Sequence, residues 1–283
     1  MPSQRDIRRR IHASRNIRQI TRAMQFVAAS KLRRAQESTL AARPYSELLD
    51  DILADLASVL SGDEHPLLSR REKGKRLIVL VTSDRGLAGP LNTNVIRFAS
   101  KEIVDYPGEL ELVSVGRKGR DAMRRARVPI IAHFAGFGDR PAFGEVLPLA
   151  RLISDEYEAG TYNQVDVIFT RFVSTLVQRA DMLGLLPIKP RAEPRVIPGS
   201  QFIFEPAPEI VLDELLPRYV STRLYQTALE STASFFSSQM VAMKNATENA
   251  DELIEDLTLS YNKARQASIT SELIEIASGA QRR

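Results

Sequence analysis

Apolar residues recur along the first stretch of the chain at steps that mix three and four: Ile7, Ile11, Ile17, Ile20, Met24, Val27 and Leu32, with one gap around Ser14. That period belongs to a helix that hides one stripe. Pro2 and Ser3 suit a helix start. The pattern reaches Pro44 and resumes through Tyr45 to Leu60, so the spacing predicts a helix of about 55 residues, roughly 80 Å long at 1.5 Å per residue. After Pro208 a second, interrupted stripe runs through Leu224, Ala228, Phe235, Ala242, Ala246, Leu253, Leu257, Tyr261, Ala264 and Ile274. Gly279 is the candidate residue just past its end, and Pro217 is expected either to kink it or to open its unbroken part.

The middle of the chain has a different rhythm. Arg76 to Thr82, Leu110 to Val115 and Val165 to Phe172 read as strands, with Gln201 to Glu205 as a further short candidate. Helical patterns lie near Asn92–Asp105, Lys118–Arg125 and Phe143–Ala159. Such alternation predicts βαβ units and a mostly parallel sheet covered by helices. Glycine supports this division, because 13 of the 14 lie between Pro44 and Pro217. The expected domains are therefore residues 1–60, a helix; 61–208, a globular α/β body; and 209–283, a second helix.

Helices this long exceed the average of about 11–12 residues several-fold, and neither can bury its stripe alone. Both are rich in Ala and Ser, as in Ala28-Ala29-Ser30, and small residues let two backbones approach closely. Mutual pairing as an antiparallel coiled coil is the expectation. Packing of each helix on the globular middle is the alternative.

Charge changes the picture in one place. Residues 1–43 carry 11 Lys and Arg against 2 Asp and Glu, whereas the whole chain has a net charge of only +4. The first helix should therefore face something negative. Nucleic-acid phosphates are one candidate, through Arg5, Arg8, Arg9, Arg10, Arg15, Arg18 and Arg22; an acidic protein surface is the other. Cys is absent, which excludes disulfides and thiolate chemistry. His12, His65 and His133 lack metal-ligand spacing. The longest apolar run, Leu77 to Val81, is far shorter than the roughly 20 residues a membrane span needs.

No G-x-x-x-x-G-K-[ST] or G-x-G-x-x-G string occurs. Two turns could still present backbone N–H groups to an anion: Ser83-Asp84-Arg85-Gly86-Leu87-Ala88-Gly89 and Gly116-Arg117-Lys118-Gly119-Arg120. Pro90 weakens the first, having no N–H of its own. A tight strand-to-helix turn is the simpler reading of both, and a small phosphate-binding enzyme is the rival it leaves. Asp50-Asp51, Glu248 with Asp251-Glu252, and Glu255-Asp256 read as solvated helix faces. No catalytic residue, cofactor or metal is expected.

Several separated strings carry a resemblance. Arg18-Gln19-Ile20-Thr21-Arg22-Ala23-Met24 and Val27-Ala28-Ala29-Ser30-Lys31-Leu32-Arg33-Arg34-Ala35-Gln36 resemble the N-terminal helix of F-type ATP synthase gamma subunits. Met240 to Ala250 and Tyr261-Asn262-Lys263-Ala264-Arg265-Gln266-Ala267-Ser268-Ile269-Thr270 resemble its C-terminal helix, and the two glycine-bearing turns match as well. The resemblance covers essentially the whole chain, in order. Pro90 and Phe26 depart from it locally, and the missing cysteines exclude the thiol switch of chloroplast relatives.

The resemblance implies a mixed α/β fold, with a long antiparallel N- and C-terminal helical coiled coil flanking a Rossmann-like domain. It implies a non-catalytic central-stalk rotor subunit, peripheral on the cytoplasmic side of a bacterial plasma membrane. The expected partners are the alpha and beta subunits, which form a ring with the catalytic sites on beta, together with the epsilon subunit and the membrane c-ring. By resemblance, Arg265 and Gln266 would hydrogen-bond a catch loop of the ring. Met24 would sit at a seam position that affects coupling, Lys31 and Arg34 would lie on the basic face toward beta, and Glu205 would rest on the membrane ring.

Overall fold

The computed structural model describes residues 4–59, 65–189, 205 and 207–280. Helix α1 spans Gln4–Val59, and a five-stranded body follows: β1 (Lys75–Val81), α2 (Leu91–Asp105), β2 (Leu110–Val115), α3 (Arg117–Arg125), β3 (Ile130–Phe134), α4 (Phe143–Glu158), β4 (Tyr162–Phe172) and β5 (Gln178–Leu186). Helix α5 closes the chain over Pro208–Ala280. The strand order is β3-β2-β1-β4-β5, with every neighbouring pair parallel except the β4–β5 hairpin. The predicted strands and helices of the middle are all present. The Gln201 to Glu205 strand candidate lies outside the described residues apart from Glu205.

Two strands were not anticipated, and both are edges. In β3 half-exposed and exposed positions alternate, and β5 carries Gln178, Arg179 and Asp181 among its apolar residues. Edge strands are covered on fewer sides and so lack the continuous apolar run of a central strand. By contrast, β1 is buried on both faces. Leu77, Val79 and Val81 enter one core with α4 residues Val146, Leu149 and Ile153, and with Leu53, Leu216, Val220 and Leu224 from the long helices. Ile78 and Leu80 enter the opposite core with Val95 and Ala99 of α2 and Met123 of α3. That alternation is the two-residue period of a strand covered by helices on both sides.

One charged pair is buried in this sheet. Arg76 on β1 donates from Nε to Asp166 Oδ2 on β4 at 2.6 Å, and its guanidinium lies over the Tyr106 ring at 5.1 Å. A buried pair must be well bonded to offset its desolvation. Gln164 Nε2 supplies a further donor to the same carboxylate oxygen.

The chain forms two compact units, Ala29–Ser238 and Met1–Ala28 with Gln239–Arg283. In the first, α1 and α5 pack on the sheet. In the second, they pair with each other, and the hydrogen bonds give the direction. Gln4 meets Ala264, Arg8 meets Tyr261, Arg18 meets Asp251 and Thr21 meets Thr247, so rising numbers on α1 meet falling numbers on α5. The pairing is antiparallel. Both expectations for the helices therefore hold, each over its own length of chain.

The seam differs from the apolar stripe first read. Ile7, Ile11, Ser14, Thr21 and Ala28 are the buried positions of α1 in the paired unit, whereas Ile17, Ile20 and Val27 are 54%, 60% and 55% exposed. Positions 7, 14, 21 and 28 keep a seven-residue repeat, the period of two helices wound on each other. Its polar and small members were invisible to a search for apolar residues. On α5, Met243 and Ala250 are buried, while Leu253 and Ile274, also counted in the stripe, are exposed. Helix α5 also continues past Gly279 to Ala280, so that glycine does not end it. Pro217 lies inside it, and Pro44 lies inside α1.

Candidate functional site

The two anion-cradle candidates resolve into one structural device. Gly116 leaves β2 with φ +87, and a Cβ there would come within 2.1 Å of the Thr82 carbonyl oxygen. Only glycine fits that approach and that backbone angle. Helix α3 then begins with its amides already taken. Arg117 N donates to Asp84 Oδ1, Lys118 N to the Ser83 carbonyl and Gly119 N to Thr82 Oγ1, while Arg120 N reaches the Gly116 carbonyl. The other Asp84 oxygen accepts from Gly136 N, in the loop after β3. The loop after β1 thus caps the neighbouring helix, using the donors an anion would need.

Other candidate groups have ordinary partners. His133 Nδ1 lies 3.2 Å from the Ser114 carbonyl, and His65 Nδ1 accepts from Leu67 N. Asp251 pairs with Arg18, and Glu248 with Lys244. Among the described residues, no three His, Cys, Asp or Glu side chains are grouped to hold a metal ion. No helix among them is long and apolar enough to cross a membrane.

The surface of the paired-helix unit is different in kind. Ile17, Ile20, Phe26 (63% exposed) and Val27 stand in solvent, interleaved with exposed Arg15, Arg18 and Arg22. Leu253, Leu259, Ile269, Leu273 and Ile274 stand exposed on α5. Large exposed apolar patches mark contact sites for other proteins, membranes or ligands. Met24 is half-buried within this unit. Arg265 and Gln266 are exposed, and the Gln266 carbonyl accepts the Thr270 hydroxyl.

The other residues expected from the resemblance to contact partners lie in the sheet unit. Lys31 Nζ sits 2.5 Å from Asp139 Oδ2 and 5.4 Å from the centre of the Phe236 ring, tying α1 to the loop after β3 and to α5. Arg34 is exposed, with one nitrogen 3.4 Å from Ser30 Oγ. Glu205 is exposed, and its neighbours Phe204 and Pro206 lie outside the described residues. Counting charge over whole segments hid a second basic stretch. Residues 117–127 hold six Lys and Arg against one Asp, and Arg124, Arg125 and Arg127 are exposed.

A sheet body whose turns cap its own helices, joined in one chain to a helix pair with an apolar and basic exterior, is the build of a docking scaffold. Comparison with known proteins gives the family. A protein-family profile described as ATP synthase matches residues 3–282. The ATP synthase gamma chain of Desulfitobacterium hafniense is 46% identical over 99% of both chains, and that of Roseiflexus castenholzii is 49% identical over 99% of this chain and 98% of its own. The chain belongs to the ATP synthase gamma-chain family. Its fold matches a chain in the Euglena gracilis mitochondrial ATP synthase OSCP/F1/c-ring structure at a TM-score of 0.70, with 18% identity over 98% of this chain and 93% of that one. A chain from the Tetrahymena thermophila mitochondrial central stalk and c-ring structure matches at 0.62, with 24% identity over 80% of this chain and 99% of that one.

Proposed function

We propose that this chain is the central-stalk rotor subunit of a proton-translocating F-type ATP synthase, coupling rotation of the membrane c-ring to conformational cycling of the catalytic beta subunits. The observation that carries this reading is the exterior of the helix pair, where Ile17, Ile20, Phe26 and Val27 are exposed among arginines. Buried in a ring of alternating alpha and beta subunits, those side chains would lose their contact with water. Individual surface ion pairs contribute only about 0–1 kcal/mol. Arginines that bind this weakly can pass from one beta subunit to the next without trapping the shaft.

A shaft drives its partners only by contacting their conformations unequally. The two helices present different residues, arginines with Ile17 and Ile20 on α1, and Leu253, Leu259 and Ile269 on α5. Each beta subunit would thus meet a different surface at each angle. In this reading the nucleotide sites belong to beta. This chain would also contact the epsilon subunit and the c-ring, with Glu205 at the ring, and would sit peripherally on the cytoplasmic side of the bacterial plasma membrane. Met24, Lys31 and Arg34 are proposed to influence coupling to beta, and Arg265 and Gln266 to engage the ring's catch loop. Against the nucleic-acid alternative stands the apolar half of the same surface, which phosphates would leave uncovered.

The test is reconstitution of the complex in proton-tight vesicles with Arg265→Ala and Gln266→Ala combined. ATP synthesis should fall several-fold while the helix pair stays folded by circular dichroism. Full synthesis by the double variant would refute the role of these two residues. A chain that never co-purifies with alpha and beta would refute the rotor reading itself.

A further inference from the structure

The crevice between β1 and β4 lies where the strand order reverses, with β2 on one side of β1 and β4 on the other. Open α/β sheets bind ligands at this point, beyond the carboxyl ends of the strands. A cavity of about 250 Å³ occupies it here, lined by Val81 and Thr82 at the end of β1, Thr170 near the end of β4, Leu91 and Asn92 of α2, and Phe235 of α5. All of its lining residues belong to one compact unit.

We propose that this crevice binds a small, uncharged heteroaromatic molecule with the size and chemistry of a nucleoside. The inference does not depend on the rotor reading, since it concerns the sheet body and not the paired helices.

The lining divides into groups already engaged and groups left over. Asn92 Oδ1 accepts from Ser83 N, and its Nδ2 donates to Ser83 Oγ. Asp84 is held by two backbone amides, and Asp139 by Lys31, with Arg85 3.8 Å away. What remains is hydroxyl and aromatic. Thr170 and Thr232 are only 5% and 7% exposed, and Ser231 Oγ is buried without a hydrogen-bond partner. Phe137 and Phe235 line the same space.

Hydroxyls both donate and accept, so they suit the mixed edge of a ring base, and aromatic side chains stack on its face. The volume lies just below the roughly 300–1,000 Å³ usual for ligand pockets, which limits the occupant to one compact ring system with a small appendage. Charge argues against a phosphorylated ligand. Lys31 and Arg85 both face Asp139, Arg117 faces Asp84, and the neighbouring α3 amides are spent on protein acceptors. A triphosphate would have to compete with Asp84 and Asp139 for each of those cations. This distinguishes the crevice from a nucleotide-hydrolysis site.

Binding of adenosine, uridine and ATP to the full chain can be measured by calorimetry. A nucleoside should bind saturably, with ATP no tighter than adenosine. Ser231→Ala and Thr170→Val should each weaken nucleoside binding about three- to tenfold, the loss of one neutral hydrogen bond. Ser231→Ala removes an unpartnered hydroxyl, so its melting temperature should hold or rise, which separates lost binding from lost fold. Absence of saturable binding by either nucleoside would overturn the proposal. So would ATP binding tenfold tighter than adenosine, or affinities unchanged in both variants.

Discussion

The hydroxyl oxygens of Thr21 and Thr247 lie 2.8 Å apart across the seam of the paired helices. Each also lies near a carbonyl of its own helix, Thr21 at 3.1 Å from that of Arg18 and Thr247 at 2.8 Å from that of Met243. Each hydroxyl has one hydrogen, so one threonine donates across the seam while the other donates along its own helix. A polar pair at a seam position penalises a slipped register, because slipping strands both groups among side chains that cannot bond them. A double-mutant cycle of Thr21→Val and Thr247→Val should give a coupling of about 0.5–1.5 kcal/mol in denaturant unfolding. Strictly additive losses would mean the two hydroxyls do not act together.

Asp84 should matter more than any other polar residue of its loop, because one carboxylate holds the first amide of α3 and the amide of Gly136. Asp84→Ala leaves both donors without that acceptor and should cost about 2–4 kcal/mol in urea unfolding. Asp84→Asn keeps one acceptor oxygen and should cost distinctly less. Equal losses in the two variants would contradict this account of the loop.

Gly116→Ala tests the turn from β2 into α3. The added Cβ would overlap the Thr82 carbonyl, and alanine is strained at φ +87. The chain should lose about 2–4 kcal/mol, as expected when a residue without Cβ is replaced where its backbone angle and space are both required. Loss of soluble expression would be the cruder readout. A variant melting within a degree of the parent would count against the clash.

Two carboxyls should respond to pH in opposite directions. Burial raises the Glu230 carboxyl above its usual range, against the attraction of Arg171 and a hydrogen bond from the Phe172 backbone. The folded state therefore holds its proton more tightly than the unfolded one, and stability falls as pH rises through the folded pKa. Glu230 Oε2 is buried without a hydrogen-bond partner. Glu230→Gln should raise Tm by about 2–4 °C at pH 8, the shift that roughly 1 kcal/mol gives in a chain of this size. The gain should shrink toward pH 4.5.

Glu111 goes the other way. Hydrogen bonds from Lys75 and then from Tyr162 hold its carboxyl below the usual range. Its contribution is complete above the unfolded pKa and is lost as pH falls through the folded one. Glu111→Gln should therefore flatten the acid side of the stability profile. Melting curves from pH 3 to 8 on both variants resolve the two signs.

The parts of this fold that were legible in sequence are those governed by one local cause. Leu77 to Val81 announced a central strand because both its faces are buried, and the scarcity of Gly outside the middle supported the long helices. The seam was harder, because Ser14, Thr21 and Ala28 are buried by their partner helix, while Ile17 and Ile20 are left exposed. Hydrophobicity alone reads those assignments backwards. The loop after β1 was misleading for a related reason. It looked able to offer backbone N–H groups to an anion, and only the fold turns Thr82 and Asp84 into acceptors for the amides of Arg117, Gly119 and Gly136. Arg265 and Gln266 were singled out through a family motif alone, since an exposed residue on a long helix carries no intrachain signal.

Antiparallel pairing of the chain's two ends also sets a timetable for synthesis. Thr21 is made 226 residues before the Thr247 it pairs with. At about 5–20 residues per second, the wait is roughly 10–45 s. A newborn α1 can wind into a helix within microseconds, yet through that interval Ile7 and Ile11 have no α5 to cover them. The ribosome releases the sheet's strands, β1 to β5, while this end is still half a pair. A nascent chain stalled before residue 239 would carry an intact sheet sequence and an orphaned, sticky first helix, which makes the opening segment the natural place for a chaperone to hold on.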